Sequence, residues 1–325
     1  MRTSKGILRN QRRELLILLI MKKSMKHMAA TLFAAFILIT SSLPVYAEPI
    51  FGYSSMELLT KNGEVFDLRA AAGQKLYGYD TLQGACANGG FVYYTLFDRN
   101  KNKCRIVKAE LGSLNVVMVS GPLPVYHANN LTFNTRRNLL LATCCQVKGK
   151  RVVFIDPQTL TVVTKKDIKL KASKMIPKSV VRKYKGFTAI TYNEKYDCYI
   201  GRLRGNNNVI ILDGNLKPVR YVKLKGKMTG LLNQGMESVG DYIYDVRSFK
   251  GKRKYNMVTI HDMSGAYVGA MEFAYGQAPG NELQCIFHDG DRFYAGFYYT
   301  TSQKHDDKKH HVKRYNYIYA LKTAA

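Results

Sequence analysis

Short runs of apolar and β-branched residues, separated by turn-forming residues, recur along most of this chain. In residues 127–163 the runs are Asn130–Phe133, Leu139–Cys144, Arg151–Ile155 and Leu160–Val163. Asn, Gly, Pro or Asp lies in each break, and these residues tolerate the backbone angles of tight turns. No run has the length or the i, i+3, i+4 spacing of a helix. The pattern therefore predicts four short antiparallel strands.

The same four-stranded unit recurs at fairly regular intervals. Successive first strands are 44, 60, 47 and 48 residues apart, counted from Cys86, Asn130, Ile190, Glu237 and Cys285. The longest interval contains a basic insertion, Lys169–Lys185. A period in the forties with four strands per unit is typical of a β-propeller, in which each unit is one blade.

The fifth unit ends after its third strand. A ring with an open edge would leave unpaired backbone groups, so the missing strand must come from elsewhere. Glu48–Leu68 is the unassigned segment of suitable length. We therefore predict an all-β fold: a five-bladed β-propeller of four-stranded antiparallel blades, closed by an N-terminal strand.

Residues 1–47 have the features of a targeting segment. Basic residues follow Met21, the apolar run Ala29–Thr40 comes next, and small residues end the segment at Ala47. This order predicts a signal peptide cleaved before Glu48, with residues 1–20 as an overlong extension. The apolar run is shorter than the roughly 20 residues of a membrane span. We expect residues 48–325 to form one propeller domain, secreted or associated with the cell surface, without a membrane span; an uncleaved anchor is the alternative.

The chain is strongly basic. Lys and Arg number 50 against 23 Asp and Glu, a formal charge of +27. Such a surplus attracts polyanions, and nucleic acid, anionic lipid and anionic wall polymer all qualify. Interleaved aromatic residues and nucleic-acid motifs are not evident, so nucleic acid ranks below wall polymer. A merely solubilising basic surface is the alternative.

Basic residues are concentrated in the predicted turns between second and third strands. Because these turns share one face of a propeller, they predict a basic rim that attracts a polyanion. Ordinary solvated hairpins are the alternative. A further turn of this kind lies within His305–Arg314. The predicted rim residues are Lys148, Lys150, Arg151, Lys250, Lys252, Arg253 and Lys254.

Polar side chains mark the starts of the first strands, which line the central channel of a propeller. Amide, imidazole and carboxylate groups gathered at one channel mouth suit a hydroxyl-rich ligand, because amides both donate and accept hydrogen bonds. Alternatively, these groups satisfy the backbone of loops that enter the channel. The predicted ligand-binding residues are Gln83, His127, Asn129, Asn130, Gln234, Glu237, Glu282 and Gln284.

Three of these strand starts carry a resemblance. Gln83-Gly84, His127-Ala-Asn-Asn130 and Gln234-Gly235 begin separate units. In this register the chain resembles the secreted five-bladed propellers of Gram-positive bacteria and their phages, a group that includes teichoic-acid protein C-like proteins, helveticin-type bacteriocins and phage receptor-binding propellers. The resemblance spans residues 83–321 and implies a cell-surface setting with glycan or wall-polymer binding. Asn130 stands where an acid is expected, which argues against a metal or acid/base role there.

Enzymatic signatures are sparse. A metal-assisted hydrolase of the lactonase type would need several channel carboxylates, and Glu237 and Glu282 are the two candidates. Calcium takes six or more oxygen ligands. A nucleophile elbow, a P-loop and a dinucleotide fingerprint are absent from the sequence. We expect a binding module for a glycan or anionic cell-wall polymer, without catalytic residues, metal or cofactor; the hydrolase and a structural or protein-binding scaffold are the alternatives.

Six cysteines follow the targeting segment. The even number permits disulfides, and no pair has the C-x-x-C spacing of zinc or redox sites. Cys86 and Cys285 occupy the same register in the first and fifth units, which are neighbours in a closed ring. We therefore expect these two to lie close enough to pair.

Overall fold

The computed structural model describes residues 55–58, 79–98, 103–145, 149–226, 232–248, 256–273, 282–300 and 314–322. Within these ranges it is almost wholly β-structure, with one short helix, α1 (Lys178–Lys183). The strands are β1 (Ser55–Leu58), β2 (Tyr79–Asn88), β3 (Phe91–Asp98), β4 (Lys103–Glu110), β5 (Val116–Val119), β6 (Leu131–Asn134), β7 (Leu139–Thr143), β8 (Arg151–Ile155), β9 (Val162–Asp167), β10 (Phe187–Asn193), β11 (Cys198–Leu203), β12 (Val209–Asp213), β13 (Pro218–Val222), β14 (Leu232–Val239), β15 (Tyr242–Ser248), β16 (Asn256–Asp262), β17 (Tyr267–Phe273), β18 (Glu282–Asp289), β19 (Arg292–Thr300) and β20 (Arg314–Lys322).

These strands form five four-stranded antiparallel sheets, which confirms the predicted five-bladed propeller. Blades one to four are β2–β5, β6–β9, β10–β13 and β14–β17, each in chain order. The innermost strands β2, β6, β10, β14 and β18 contact one another in sequence, and β18 also contacts β2. That last contact closes the ring.

Blade five is completed by the N-terminal strand. Its order is β18-β19-β20-β1, and β1 pairs antiparallel with β20, with Met56 opposite Leu321. The exposed Glu57 carboxylate lies 3.2 Å from both Arg292 and Lys322. The predicted closure is therefore confirmed, by a four-residue strand within Glu48–Leu68. The predicted boundary at residue 47 lies outside the described residues.

The hydrophobic core is divided among the five junctions between blades. Strand side chains alternate between the two faces of a sheet, so neighbouring residues serve different junctions. Tyr93 packs between blades one and two, whereas Tyr94 packs between blades one and five. The other three junctions hold equivalent clusters of buried apolar residues. Each blade thus depends on both neighbours for burial, as expected for stacked repeats.

Three blades share a turn between their third and fourth strands. Leu114, Leu160 and Leu216 lie there with positive φ angles of 55°, 53° and 63°, and each side chain is buried. In blades two and three an aspartate opens the turn: Asp156 and Asp213 accept backbone N–H groups at 2.7–2.9 Å. The buried leucine compensates for the unfavourable backbone angle.

The cysteines form no disulfide in the described residues. All six are buried free thiols, and the expected closeness of Cys86 to Cys285 stays a prediction. Burial raises the pKa of both Cys104 and Cys285 to about 12. Within the described ranges, no helix is long and apolar enough to cross a membrane.

Candidate functional site

The propeller has two faces that differ in their loops. We call the face where each innermost strand begins the front face, and the face where it ends the back face. Because the blades are antiparallel, the turns between second and third strands and the connections between blades lie on the front face. The hairpins between first and second strands lie on the back face.

Asn130 closes the channel near its front end. Its Nδ2 donates to the carbonyl of Ile190 at 2.8 Å, and its Oδ1 accepts from the backbone N–H of Met236 at 2.9 Å. These bonds join blade two to blades three and four. A β-carbon at Gly235 would lie 2.8 Å from the Gln284 carbonyl and 3.0 Å from Asn130 Oδ1. Backbone and one amide side chain therefore fill the axis at this level.

The other predicted channel residues are also largely buried. Gln234 donates to Ser248 Oγ at 3.0 Å and to the Glu282 carboxylate, which brings the predicted residues Gln234 and Glu282 together. His127 contacts Asn129 and lies edge-on to Phe97, with ring centroids 4.8 Å apart. His127 and Glu282 are half-buried, and the buried members are Gln83, Asn129, Asn130, Gln234, Glu237 and Gln284.

Two of these amides keep an unused acceptor. Gln83 Oε1 and Gln284 Oε1 are buried, and neither accepts a hydrogen bond from protein atoms. Both residues lie at β-bulges of innermost strands, in the neighbouring blades one and five. A buried acceptor without a donor is costly, so a water or a ligand hydroxyl fits this position. Ligand binding by the eight residues stays a prediction.

A charged cluster lies behind Gln234, between blades three and four. Asp245 is fully buried and ion-paired with both Arg202 and Arg247. Arg202 also donates to the carbonyls of Gln234 and Gly235. Burial would raise the pKa of Asp245, but the two guanidinium groups outweigh it and hold that pKa below its ordinary value. The cluster fixes the start of β14, and sequence analysis did not identify it.

At the back end of the channel, a cavity of about 130 Å³ lies on the axis, and all five blades contribute to it. We call it the back pocket. Glu237 is the predicted ligand-binding residue that lines it. The side chains that line it include Phe133, Tyr192, Glu194, Glu237, His288 and Asp289.

The back pocket is acidic, and Glu237 is its most buried carboxylate. Glu237 Oε1 accepts from Thr191 Oγ1 at 2.8 Å and from the Ser238 N–H at 2.7 Å. Burial lowers the pKa of His288, but interaction with Glu237 and the charges of Asp289 and Glu194 outweigh it and raise that pKa overall. Three carboxylates therefore act on one imidazole.

The front face carries a groove of about 680 Å³ between blades two and three. We call it the basic groove; its charged residues are Lys150, Arg151, Asp167, Lys169 and Lys185. Asp167 is its one acid, and Arg151 already binds that carboxylate in a bidentate pair at 2.7 and 2.9 Å. Lys150 Nζ lies 5.4 Å from the ring of Tyr184.

The basic groove is built where the insertion packs against the turn of blade two. The Phe187 N–H donates to the Gly149 carbonyl at 2.7 Å, and Ile168 N–H to the Lys150 carbonyl at 2.8 Å. Gly186 has a φ of +110°, and a β-carbon there would lie 2.2 Å from the Gly149 carbonyl carbon. The insertion thus lies directly on the predicted rim residues Lys150 and Arg151.

A second cavity, of about 200 Å³, shares Tyr184 and Lys185 with the basic groove. It is lined by further basic residues, Lys183 and Arg204. Sequence analysis found the basic insertion but assigned it no contact with the rim. The remaining predicted rim residues lie outside the described ranges: Lys148, Lys250, Lys252, Arg253 and Lys254.

Across the described part of the chain, no group of three or more His, Cys, Asp or Glu side chains is arranged to hold a metal ion. The channel carboxylates Glu237 and Glu282 lie toward opposite ends of the innermost strands, β14 and β18, that carry them. Within the described ranges these two carboxylates therefore do not share one end of the channel.

Comparison with known proteins defines the fold. No family model and no curated protein matches the chain. The tail fiber of a Staphylococcus aureus phage aligns with 83% of this chain at 13% identity and a TM-score of 0.53, over 53% of its own length. An exo-β-1,3-galactanase from Clostridium thermocellum aligns with 85% of this chain at 10% identity and a TM-score of 0.48, over 62% of its own length.

A duf4221 family member from Bacteroides vulgatus aligns with 84% of this chain at 11% identity and a TM-score of 0.43, over all of its own length. The chain spans about half of the tail-fiber chain. At such identities a likeness reports the fold alone. The chain is therefore a five-bladed β-propeller similar in fold to a phage tail fiber.

Proposed function

We propose that this chain is a secreted, cell-surface binding module that holds an anionic wall polymer or acidic glycan on its front face, in the basic groove. The observation that carries the proposal is the charge of the segment 165–185. It has nine Lys and Arg against one acid, and all nine are exposed. Such a density of like charge repels itself unless an anion neutralises it.

The shape of the surface supports a polymer over a single small anion. Two cavities adjoin each other and share Tyr184 and Lys185. Successive charged units of one polymer molecule would occupy the two cavities, and each unit would contact lysines. The half-buried Tyr184 ring, whose hydroxyl donates to the Ile168 carbonyl at 3.3 Å, supplies a fixed apolar wall. This arrangement agrees with the resemblance to Gram-positive and phage propellers, whose wall-polymer binding we extend to this chain as part of the proposal.

The channel amides have a secondary place in the proposal. The open acceptors of Gln83 and Gln284 suit a hydroxyl group of a glycan, but both are deeply buried. We therefore assign the main contact to the basic groove and leave the amides to recognise a group that reaches the channel.

Binding of poly(glycerol phosphate), with neutral dextran as the comparison, tests the proposal. Lys150→Gln, Lys169→Gln and Lys185→Gln together should weaken phosphate-polymer binding by about tenfold or more, which corresponds to 1.4 kcal/mol per factor of ten. The matched control removes the same charge elsewhere: Lys103→Gln, Lys217→Gln and Lys223→Gln, all at exposed positions. It should change affinity by less than about threefold, roughly half of that free energy.

The dependence of polymer binding on salt concentration is the second part of the test. Affinity should fall as ionic strength rises from about 0.01 to 0.15 M, because the Debye length shrinks from about 30 to 8 Å. If the two triple variants lost affinity for the phosphate polymer equally, net charge alone would explain the binding, and the assignment of the contact to the basic groove would be contradicted. Absence of binding to the phosphate polymer, or equal binding to dextran, would contradict the anionic ligand.

A further inference from the structure

The back pocket lies at the back ends of the innermost strands, whereas Asn130 and Gly235 fill the axis nearer the front. Hairpin residues from every blade surround it, among them Asn88, Thr135, Glu194, Gly240 and Gly290. A concave recess is the usual form of a small-molecule site, and all five repeats reach this one. Nothing in the proposed polymer contact uses it.

The charge of the back pocket is opposite to that of the protein. The chain has 50 Lys and Arg against 23 Asp and Glu, yet the lining contains three carboxylates and neither Lys nor Arg. The carboxylates are Glu194, Glu237 and Asp289, and the single titratable base is His288. Glu237 is buried, Asp289 is half-buried and Glu194 is exposed, so a low dielectric strengthens the attraction for a cation chiefly at Glu237.

One carboxylate oxygen in this recess is open to a ligand. The Glu237 side chain is 7% exposed. Its Oε1 accepts two hydrogen bonds, whereas its Oε2 lies 3.8 Å from His288 Nδ1, a distance that allows a long ion pair when the imidazole is protonated but is beyond hydrogen-bond length. His288 Nδ1 is itself buried without a hydrogen-bond partner. Because neither Oε2 nor Nδ1 makes a hydrogen bond with the protein, a ligand N–H can donate to Oε2.

Size and geometry define the kind of cation. About 130 Å³ admits one small group. Within the described residues, the acidic and imidazole groups do not converge closely enough to hold a metal ion. They are spread around a cavity that Phe133 and Tyr192 also line. Several separated acceptors beside aromatic rings match the three N–H donors of an ammonium group. We propose that the back pocket binds a small ligand group that carries a primary ammonium.

Calorimetric titration of the purified protein with ethanolamine, compared with ethylene glycol, tests this inference. We expect saturable binding of ethanolamine and none of ethylene glycol, because the two differ chiefly in the ammonium. Glu237→Gln keeps the shape of the side chain and should weaken ethanolamine binding by at least about tenfold. Glu110→Gln removes an exposed carboxylate on the same face, outside the pocket, and should leave binding unchanged.

Asp289→Asn is a second variant, at the half-buried edge of the pocket, for the case in which Glu237→Gln lowers the thermal midpoint. It should weaken binding severalfold while the fold stays intact. Equal binding of ethylene glycol, absence of saturable ethanolamine binding, or unchanged affinity in both pocket variants would overturn the proposal. These outcomes are independent of the polymer contact, because no residue of the basic groove lines the back pocket.

Discussion

The side-chain oxygen of Asn130 accepts a hydrogen bond from the backbone N–H of Met236, at 2.9 Å, although the two residues belong to blades two and four. The same side chain donates to Ile190 in the blade between them. One amide therefore connects three of the five blades at the axis. This position explains why a neutral amide stands where an acid was expected: the site needs a donor and an acceptor together.

Replacing Asn130 with alanine should destabilise the ring. It would leave the Met236 N–H and the Ile190 carbonyl buried without partners, each costing about 1–3 kcal/mol. Urea unfolding should show a loss of roughly 2–6 kcal/mol on that basis. Asn115→Ala, at an exposed turn, is the control and should cost much less. An unchanged midpoint for the Asn130 variant would show that this bond does not support the ring.

The second prediction concerns Gly235, which follows Gln234 on an innermost strand. Gly235→Ala would place a methyl group 2.8 Å from a backbone oxygen. Such overpacking costs about 1–3 kcal/mol. Gly112→Ala is the matched control, since a β-carbon there meets no atom within 4 Å and its φ is not positive. We expect a lower thermal midpoint for the first variant and an equal or slightly higher one for the second; the reverse order would contradict the close approach.

The closing strand can be tested at a single residue. Met56 packs against the cluster that contains Tyr319 and Leu321. Met56→Lys should lower stability by about 1–2 kcal/mol, since burying such a side chain is worth about that much. Deletion of Glu48–Leu68 should cost more, because the edge of β20 would be exposed. Glu57→Gln, which affects exposed ion pairs only, serves as the control, and differential scanning calorimetry gives the comparison.

Asp245 should make the protein sensitive to acid. Asp245→Asn leaves Arg202 and Arg247 with an uncompensated buried charge, a change that typically costs about 3–5 kcal/mol. Because the pKa of Asp245 is lowered in the fold, its contribution is complete above the unfolded value of about 3.9 and is lost as the pH falls through the folded pKa. Urea denaturation measured from pH 7 to pH 3 should therefore show that the difference in free energy of unfolding between wild type and variant becomes smaller below about pH 4.

Asp291→Asn, at an exposed hairpin, is the control for that series and should follow the wild type throughout. A difference in free energy of unfolding between wild type and Asp245→Asn that stays constant down to pH 3 would mean that the carboxylate of Asp245 is not the group that titrates.

Local patterns of apolar and turn-forming residues were sufficient to predict the strands of the blades. The strand Arg151–Ile155 has the predicted bounds, and the strand predicted at Leu139–Cys144 is one residue shorter, because apolar runs and turn residues act over a few positions. Helix α1 was missed, since its six residues have no buried face. Its sequence carries charge but no helical period of apolar residues.

The candidate sites were harder to predict. The spacing of repeats places Asn130 and Met236 on innermost strands but does not give the radius of the ring, which decides whether their side chains meet. The structure closes the front of the channel at this level and leaves a cavity at the back. For the same reason the contact between Gly149 and Gly186, which builds the basic groove, could not be derived from either local sequence.

The pairing of β1 with β20 also determines when the ring can form. Ser55 and Lys322 lie opposite each other although they are 267 residues apart in the chain. Bringing such distant ends together costs about 5 kcal/mol of chain entropy. During synthesis β1 emerges first and has no partner until β20 follows at the end. Blade five must therefore assemble last, and the propeller will fold slowly, with its first strand exposed to other chains in the meantime.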